Sequence, residues 1–358
     1  MNLSVGVDLH KHQFTTAERM DGYLVGGNRY STNSSGITNF IQRLELERKK
    51  GVSVSVAVES TGNTRYFRDC LQRAGYPVKI VNTMKFKVVN ESVNKSDRRD
   101  ARTIAEFLEK DMLPEVKLCS RKSEQLKRLL ATRNMLVRVN VKLKNQAHGI
   151  LLSFGMETNA GLLNSKKGRQ SVIDSITDTV DKMILSDIVA AIERNIESKE
   201  TVEKHLAEMV KDDEAVRLLL TIPGTGLIIA TTVRAHIDDI KRFRHFNQLS
   251  MYAGIVPYMK QSDQKDYRGS ITKGGPKELR TAFVQMALGM IRSRKSELSR
   301  LVLSYRAMKP HKGSGRSLIA LARKLSKVVW TMLTTGKEYD PVKAQADAKL
   351  LTAVYEVA

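Results

Sequence analysis

Four carboxylates occupy positions that packing alone explains poorly. Asp8 interrupts the apolar run Val5-Gly6-Val7-Asp8-Leu9, and an unpaired carboxylate in a core strand is costly to bury. Glu59 closes a second β-branched run, VSVSVAVE. Asp97 and Asp100 are three apart in DRRD, a spacing that puts both on one helix face at its first turn. The helix dipole favours acids there. Taken singly, each has an ordinary role, Glu59 as a strand-end surface residue and Asp97 or Asp100 as a helix cap. Taken together, clustered carboxylates repel one another unless cations intervene. Magnesium (or manganese), a hard ion preferring oxygen ligands, is the natural partner. Two such ions can activate a nucleophile and stabilise the leaving oxygen of a phosphodiester.

The elements that must position these groups alternate over residues 1–115. Strands are predicted at 4–9, 12–20 and 23–32, with Asp21-Gly22 as the turn between the last two. A helix at 33–50 carries Ile37, Phe40, Ile41 and Leu44 on one face, with Ser34 or Ser35 as its cap. A strand at 52–59, a helix at 65–74, a strand at 78–81 and a helix from 97 follow. A meander succeeded by βα units is the RNase H-like order, a mixed sheet with helices on its faces. If the strands ending at Asp8 and Glu59 are parallel neighbours, the two carboxylates converge.

Residues 116–212 change character. Leu129, Leu136, Leu143 and Ile150 recur every seven residues in a basic helix. After a polar stretch at 153–183, a second helix carries Ile188, Ile192, Ile196, Val202, Leu206 and Met209. The pair reads as an antiparallel hairpin or a dimerising coiled coil. In residues 213–345, Pro-Gly-Thr-Gly at 223–226 separates two apolar helices, as in a helix-hairpin-helix, where Gly224 and Gly226 let backbone N–H groups approach a phosphate. A plain interhelical turn is the alternative. Residues 257–275 read as a polar loop, with helices at 276–294 and 314–335, and residues 346–358 as a tail.

The segments GVDLHK, AVESTG and KSDRRDA resemble the Asp, Glu, Asp-x-x-Asp signature of the DEDD insertion-sequence transposases, a family that includes the Piv DNA invertase. IPGTGLIIA, FRHFNQLSMYAGIVP and RGSITKGGPKELR resemble its C-terminal blocks, so the resemblance spans almost the whole chain. It implies a RuvC-like domain at 1–115, a helical middle at 116–212 and a mainly helical transposase domain at 213–345. It also implies that Asp8, Glu59, Asp97 and Asp100 bind the metal. In the family, a serine a few residues after the YAG-x-x-P block is the nucleophile. Here that block is 252–257 and the matching residue is Ser262, with Ser270 as the rival; Asp263 stands where the family often has glycine. No His-Asp pair adjoins Ser262, so its activation falls to a metal. A phosphoserine link to DNA conserves bond energy for rejoining. The resemblance further implies a site composed from two protomers of a dimer or tetramer and, in part of the family, a structured guide RNA as partner beside DNA.

Composition agrees with a polyanionic partner. Sixty Lys and Arg face 38 Asp and Glu, a formal net charge of +22, and each basic group on a phosphate releases counterions. Nine basic residues against three acidic ones fall within 241–280. Phosphate contacts are expected from Lys95, Arg99, Lys260, Arg268, Lys273, Lys277 and Arg280, from Gly224 and Gly226, and from Lys312 at the start of the last helix. Two cysteines, Cys70 and Cys119, exclude a disulfide framework. No apolar run reaches the ~18 residues that span a bilayer, and the charged N-terminus does not read as a signal peptide; a cytoplasmic protein is expected. Other readings are a RuvC-like nuclease using water, a site-specific DNA invertase, and a sugar-kinase-like ATPase. The last is disfavoured because Leu9-His10-Lys11-His12 replaces the Gly-Thr turn that would hold phosphate.

Overall fold

The computed structural model describes residues 1–83, 85–86, 96–159, 161–262, 265–297 and 299–340, without the side chains of 259–262 and 265–268. The chain divides into two compact units, Met1–Leu118 and Cys119–Ala358.

The first unit is built on a mixed sheet. Its strands are β1 (Asn2–Leu9), β2 (Gln13–Met20), β3 (Tyr23–Gly26), β4 (Arg29–Ser31), β5 (Ser53–Glu59) and β6 (Val78–Val81). The order is β3-β2-β1-β5-β6, with β4 also on β2. β1 runs antiparallel to β2 and parallel to β5, and β5 is parallel to β6. Strand alternation sends Leu3, Val5, Val7 and Leu9 of β1 to one face, where they meet Val54, Val56 and Val58. That face is covered by α1 (Ser34–Lys49) and α2 (Thr64–Arg73), through Ile37, Phe40, Leu44, Phe67 and Leu71. The opposite face offers small residues, Gly6, Ala17 and Ala57. It receives α3 (Asp97–Glu109), which buries Ala101, Ile104, Ala105 and Leu108.

The single strand predicted at 23–32 is two strands. Gly27 has φ +154°, and a Cβ there would lie 2.5 Å from the Thr16 carbonyl oxygen. The backbone therefore breaks at Gly27, and β4 resumes pairing through Thr15↔Arg29.

The second unit is mostly helical. α4 (Arg121–Ser153) and α6 (Thr179–Val210) flank the short α5 (Lys166–Asp174). Leu126 and Leu130 share a core with Leu206 and Val210, whereas Ala147 and Leu151 share another with Leu185, Ile188 and Ile192. The start of one helix thus meets the end of the other, and the pair is an antiparallel hairpin. Asn195 Nδ2 donates to the Leu136 carbonyl across it at 2.7 Å. The heptad leucines flank the seam rather than form it. Leu129, Leu143 and Ile150 are only partly buried beside the fully buried Leu126, Leu130, Ala147 and Leu151.

α7 (Glu214–Leu220), α8 (Leu227–Ile237), α9 (Phe246–Tyr252), α10 (Lys277–Arg292) and α11 (Arg300–Thr335) complete the unit. They pack around the ends of α4 and α6 in one core. The residues read as a polar loop form a two-stranded antiparallel hairpin, β7 (Pro257–Ser262) with β8 (Lys265–Ile271). This corrects the loop expectation; cross-strand backbone pairing orders a segment whose composition lacks apolar alternation. α11 starts earlier than predicted, but Gly313 (φ 75°, ψ 160°) breaks its geometry. A new helical run begins just past Lys312. Among the described residues no helix is long and apolar enough to cross a membrane.

Candidate metal centre and basic hairpin

β1 and β5 run in register, Val7 beside Val58, so Asp8 and Glu59 are the next pair along. Both belong to the face that carries Gly6 and Ala57, the face that α3 covers. Gly6 sets how close α3 comes. A Cβ at Gly6 would sit 2.2 Å from the Ala101 carbonyl oxygen and 2.3 Å from the Ala105 nitrogen. Helix backbone therefore lies directly on strand backbone. One turn before Ala101 stands Asp97, and two residues after Gly6 stands Asp8. The glycine contact brings them to the same end of the sheet, at the carboxyl ends of two parallel strands, where open α/β sheets place their ligands.

Ser96 caps α3, its side chain accepting from the Arg99 nitrogen. The capping role open to Asp97 or Asp100 is thus filled by its neighbour, and both acids lie in the first turn. Asp97 Oδ1 lies 3.5 Å from His10 Nε2, and its Oδ2 lies 3.6 Å from Arg29 Nη2. Asp8, only 5% exposed, has His10 Nε2 at 3.1 Å from Oδ2. Burial raises the Asp8 pKa above the usual carboxylate value; the nearby His10 opposes this, and the charges of Asp97 and Asp100 add to it.

Ligand atoms of Asp8, His10 and Asp97 all lie within 4.8 Å of one another. Donors bound to one octahedral ion at about 2.1 Å stand about 3 Å apart when adjacent. His10 Nε2 stands 3.1 Å from Asp8 and 3.5 Å from Asp97, close to that edge, and the three donors fit a divalent cation. Asp100 is near enough to act on Asp8 through its charge, and Glu59 ends β5, the strand parallel to β1. Neither belongs to the close trio. His10 was absent from the predicted site. His10 lies in the turn after β1, where strand alternation gives no face, and its place at the site shows only once α3 brings Asp97 beside it.

Ser262 is the last residue of β7, its main chain paired with Lys265 across the hairpin end. Its side chain, like those of Lys260 and Arg268, lies outside the described residues, as does all of Lys95. Ser270, on β8, is exposed. Arg99, Lys273, Lys277 and Lys312 are also exposed, Lys273 with a positive φ of 53°. Arg280 Nη1 donates to the carbonyls of Ala253 and Gly275, tying the helix before the hairpin to the turn after it. Gly224 has φ +77°, and a Cβ there would meet the Gly289 carbonyl carbon at 2.2 Å. Its lack of a side chain is explained by the crossing of α10. Gly226 is the residue before α8, with open space where a Cβ would stand.

Comparison with known proteins gives two family matches along the chain. Residues 5–156 match the IS110-type DEDD transposase family, and residues 216–302 match the Transposase IS116/IS110/IS902 family. The chain is 26% identical over 288 residues to a transposase for insertion sequence element IS1111A of Coxiella burnetii, covering 79% of each. It is 26% identical to a transposase for insertion sequence element IS1328 of Yersinia enterocolitica, over 78% of this chain and 84% of the other. A probable family 20 transposase of Pseudomonas aeruginosa is 23% identical over 95% of this chain and all of its own length.

Proposed function

Because the chain belongs to the DEDD insertion-sequence transposases and is therefore a DNA-processing enzyme, we propose that it breaks and rejoins DNA strands for the movement of an insertion element, through a transient serine–DNA link. The observation that carries the reading is the Asp8–His10–Asp97 trio at the carboxyl ends of parallel strands. Asp8 and Asp97, joined by Glu59 and Asp100, hold the metal in this reading. A divalent cation there supplies charge stabilisation for a reacting phosphate and lowers the pKa of an attacking hydroxyl. The antiparallel-then-parallel strand order, with helices on both faces, supports an RNase H-like first domain at 1–115. The hairpin of α4 and α6 serves as the middle region, and residues from 213 onward as the transposase domain.

Ser262 is the nucleophile in this proposal, by its place five residues after Pro257 in the matched block. Its Oγ forms a bond to phosphorus while one P–O bond to deoxyribose breaks. The serine proton leaves, and the departing sugar oxygen takes one up. Rejoining reverses these bonds, so no external energy source is required. Lys260, Arg268, Lys273 and Lys277 hold the backbone phosphates, with Arg99 and Lys312 at the first turns of their helical segments. DNA is the partner, a structured guide RNA a second one, and the working assembly at least a dimer. A site-specific invertase performs the same chemistry on other ends.

The test has two parts. Asp8→Asn should abolish cleavage of a DNA substrate while leaving its binding nearly intact, because the basic surface remains. Trapping the reaction on a nicked substrate and mapping the DNA-linked peptide should place the adduct on Ser262. An adduct on Ser270, or full activity of Ser262→Ala, would remove the serine assignment and favour a RuvC-like nuclease that uses water.

A further inference from the structure

We infer that His10 is a direct nitrogen ligand to the bound metal, making this centre a mixed oxygen–nitrogen site that favours manganese over magnesium. The inference rests on the metal-site reading of Asp8 and Asp97 given above and adds a residue to it.

A histidine beside an aspartate is usually no more than a hydrogen bond. Two features here go beyond that. The same atom, Nε2, faces both carboxylates, at 3.1 Å from Asp8 and 3.5 Å from Asp97. One N–H can point at only one of them. A divalent ion among the three atoms would satisfy all of them at once, and the two spacings from His10 are close to the adjacent-ligand edge of an octahedron.

The second feature is the backbone at His10. Its N–H donates to the Gln13 carbonyl at 3.0 Å, closing the turn between β1 and β2. Its carbonyl accepts from Asn63 Nδ2 at 3.0 Å and from Thr32 Oγ1 at 3.1 Å. Asn63 follows β5, and Thr32 follows β4. Hydrogen bonds from three segments therefore fix the Cα from which the ring projects. The side chain itself is 51% exposed. Little core packing holds it, yet its root is over-determined, as expected of a ligand positioned before the ion arrives. A neutral imidazole with its proton on Nδ1 offers the Nε2 lone pair to the ion.

The chemistry of the donor sets selectivity. Carboxylates alone suit magnesium, whereas imidazole suits transition metals. Replacing one oxygen by nitrogen therefore shifts preference toward manganese. Arg29 stands on the far oxygen of Asp97, at 3.6 Å from Oδ2, leaving Oδ1 toward the site.

The experiment uses the full, tag-free chain and Mn2+ alone. Pulsed electron paramagnetic resonance on bound Mn2+ should show a directly coordinated 14N nucleus, replaced by 15N in protein grown on 15N-histidine. His10→Gln should lose that coupling and weaken Mn2+ binding by at least about tenfold. The ring is half-exposed and its loss removes no core packing; His10→Asp adds a second check. With an oxygen donor restored, it should bind Mn2+ without nitrogen coupling, and its Mn2+-to-Mg2+ affinity ratio should fall. Mn2+ that binds through Asp8, as judged by loss in Asp8→Asn, but shows no histidine nitrogen overturns the His10 inference alone. Wild-type protein that binds no Mn2+, or binds it equally in Asp8→Asn, overturns the metal-site reading beneath it.

Discussion

At the scale of single residues, burial decides which ionisable groups carry information. His236, on α8, has its pKa lowered to about 4, by burial first and then by the charge of Lys127, with Glu278 opposing. The sign of its effect on stability follows. In the unfolded chain an imidazole titrates near ~6.5. As pH falls from about 6.5 toward 4, the unfolded state takes up a proton that the folded state refuses, so stability drops. After allowance for its partial exposure the loss is about 1–3 kcal/mol. Urea unfolding of wild type and His236→Gln from pH 7 to 4.5 should show a flatter profile for the variant; parallel curves would disprove the assignment. Asp213 and Asp238 act in a lower window. Burial alone would raise both, but Lys122 and Arg234 at Asp213, and Ser120, Ser123 and Arg234 at Asp238, leave both pKa values lowered. Their stabilisation is present above about 3.9 and is lost as pH falls further. Of the Asp8–His10–Asp97 cluster, Asp8 and Asp97 were legible because a charge in an apolar strand and an acid in a first turn are conspicuous in one dimension. His10 was not, because its meaning depends on Asp97, which arrives from a helix 87 positions later in the chain.

At the scale of elements, the hydrophobic periods fixed which segments became strands and helices in the first unit, and the paired backbones fixed how close they come. Gly6 is the decisive contact. Gly6→Ala places a methyl against the backbone of Ala101 and Ala105, atoms that cannot rotate away. α3 must shift outward, at a cost of about 1–3 kcal/mol, and Asp97 moves with it. The expected outcome is a lower melting temperature together with weakened Mn2+ binding. Gly62→Ala, which meets nothing within 4 Å, serves as the control and should change neither. Wild-type Mn2+ affinity in Gly6→Ala would mean that α3 does not position the site. The elements that escaped the sequence reading share a physical cause. β7 and β8 are joined by backbone hydrogen bonds, which leave no mark on side-chain pattern. Gly27 splits a strand through its φ value, which residue type permits but does not dictate. The seven-residue leucine period in α4 was real, yet the deepest contacts fall on Leu126, Leu130, Ala147 and Leu151, a register that only the partner helix selects.

At the scale of the whole molecule, the net charge of +22 predicts that DNA affinity falls steeply and linearly in a plot of log affinity against log salt. If Lys277 holds a phosphate as proposed, Lys277→Ala should reduce the slope by about 0.9. The division of labour makes a stronger demand. The acidic cluster belongs to the unit Met1–Leu118 and Ser262 to the unit Cys119–Ala358, so the two kinds of group can be disabled independently. The proposed reaction needs both, and in the two-protomer site that the family resemblance implies they come from different protomers. Asp8→Asn and Ser262→Ala should each be inactive alone. In a mixture, a heterodimer has one reaction centre that combines both lesions and one that combines neither. With random exchange in equal amounts, half of the dimers are mixed and half of their centres are intact, so about a quarter of the wild-type strand exchange should return for a two-fold dimer. If each protomer instead used its own serine with its own carboxylates, every centre would carry one lesion and mixing would restore nothing. Strand-transfer assays on co-refolded or co-expressed variants separate these outcomes. The doubly substituted protein mixed with wild type provides the matching control, because the same trans arrangement predicts no fully intact centre in its heterodimers.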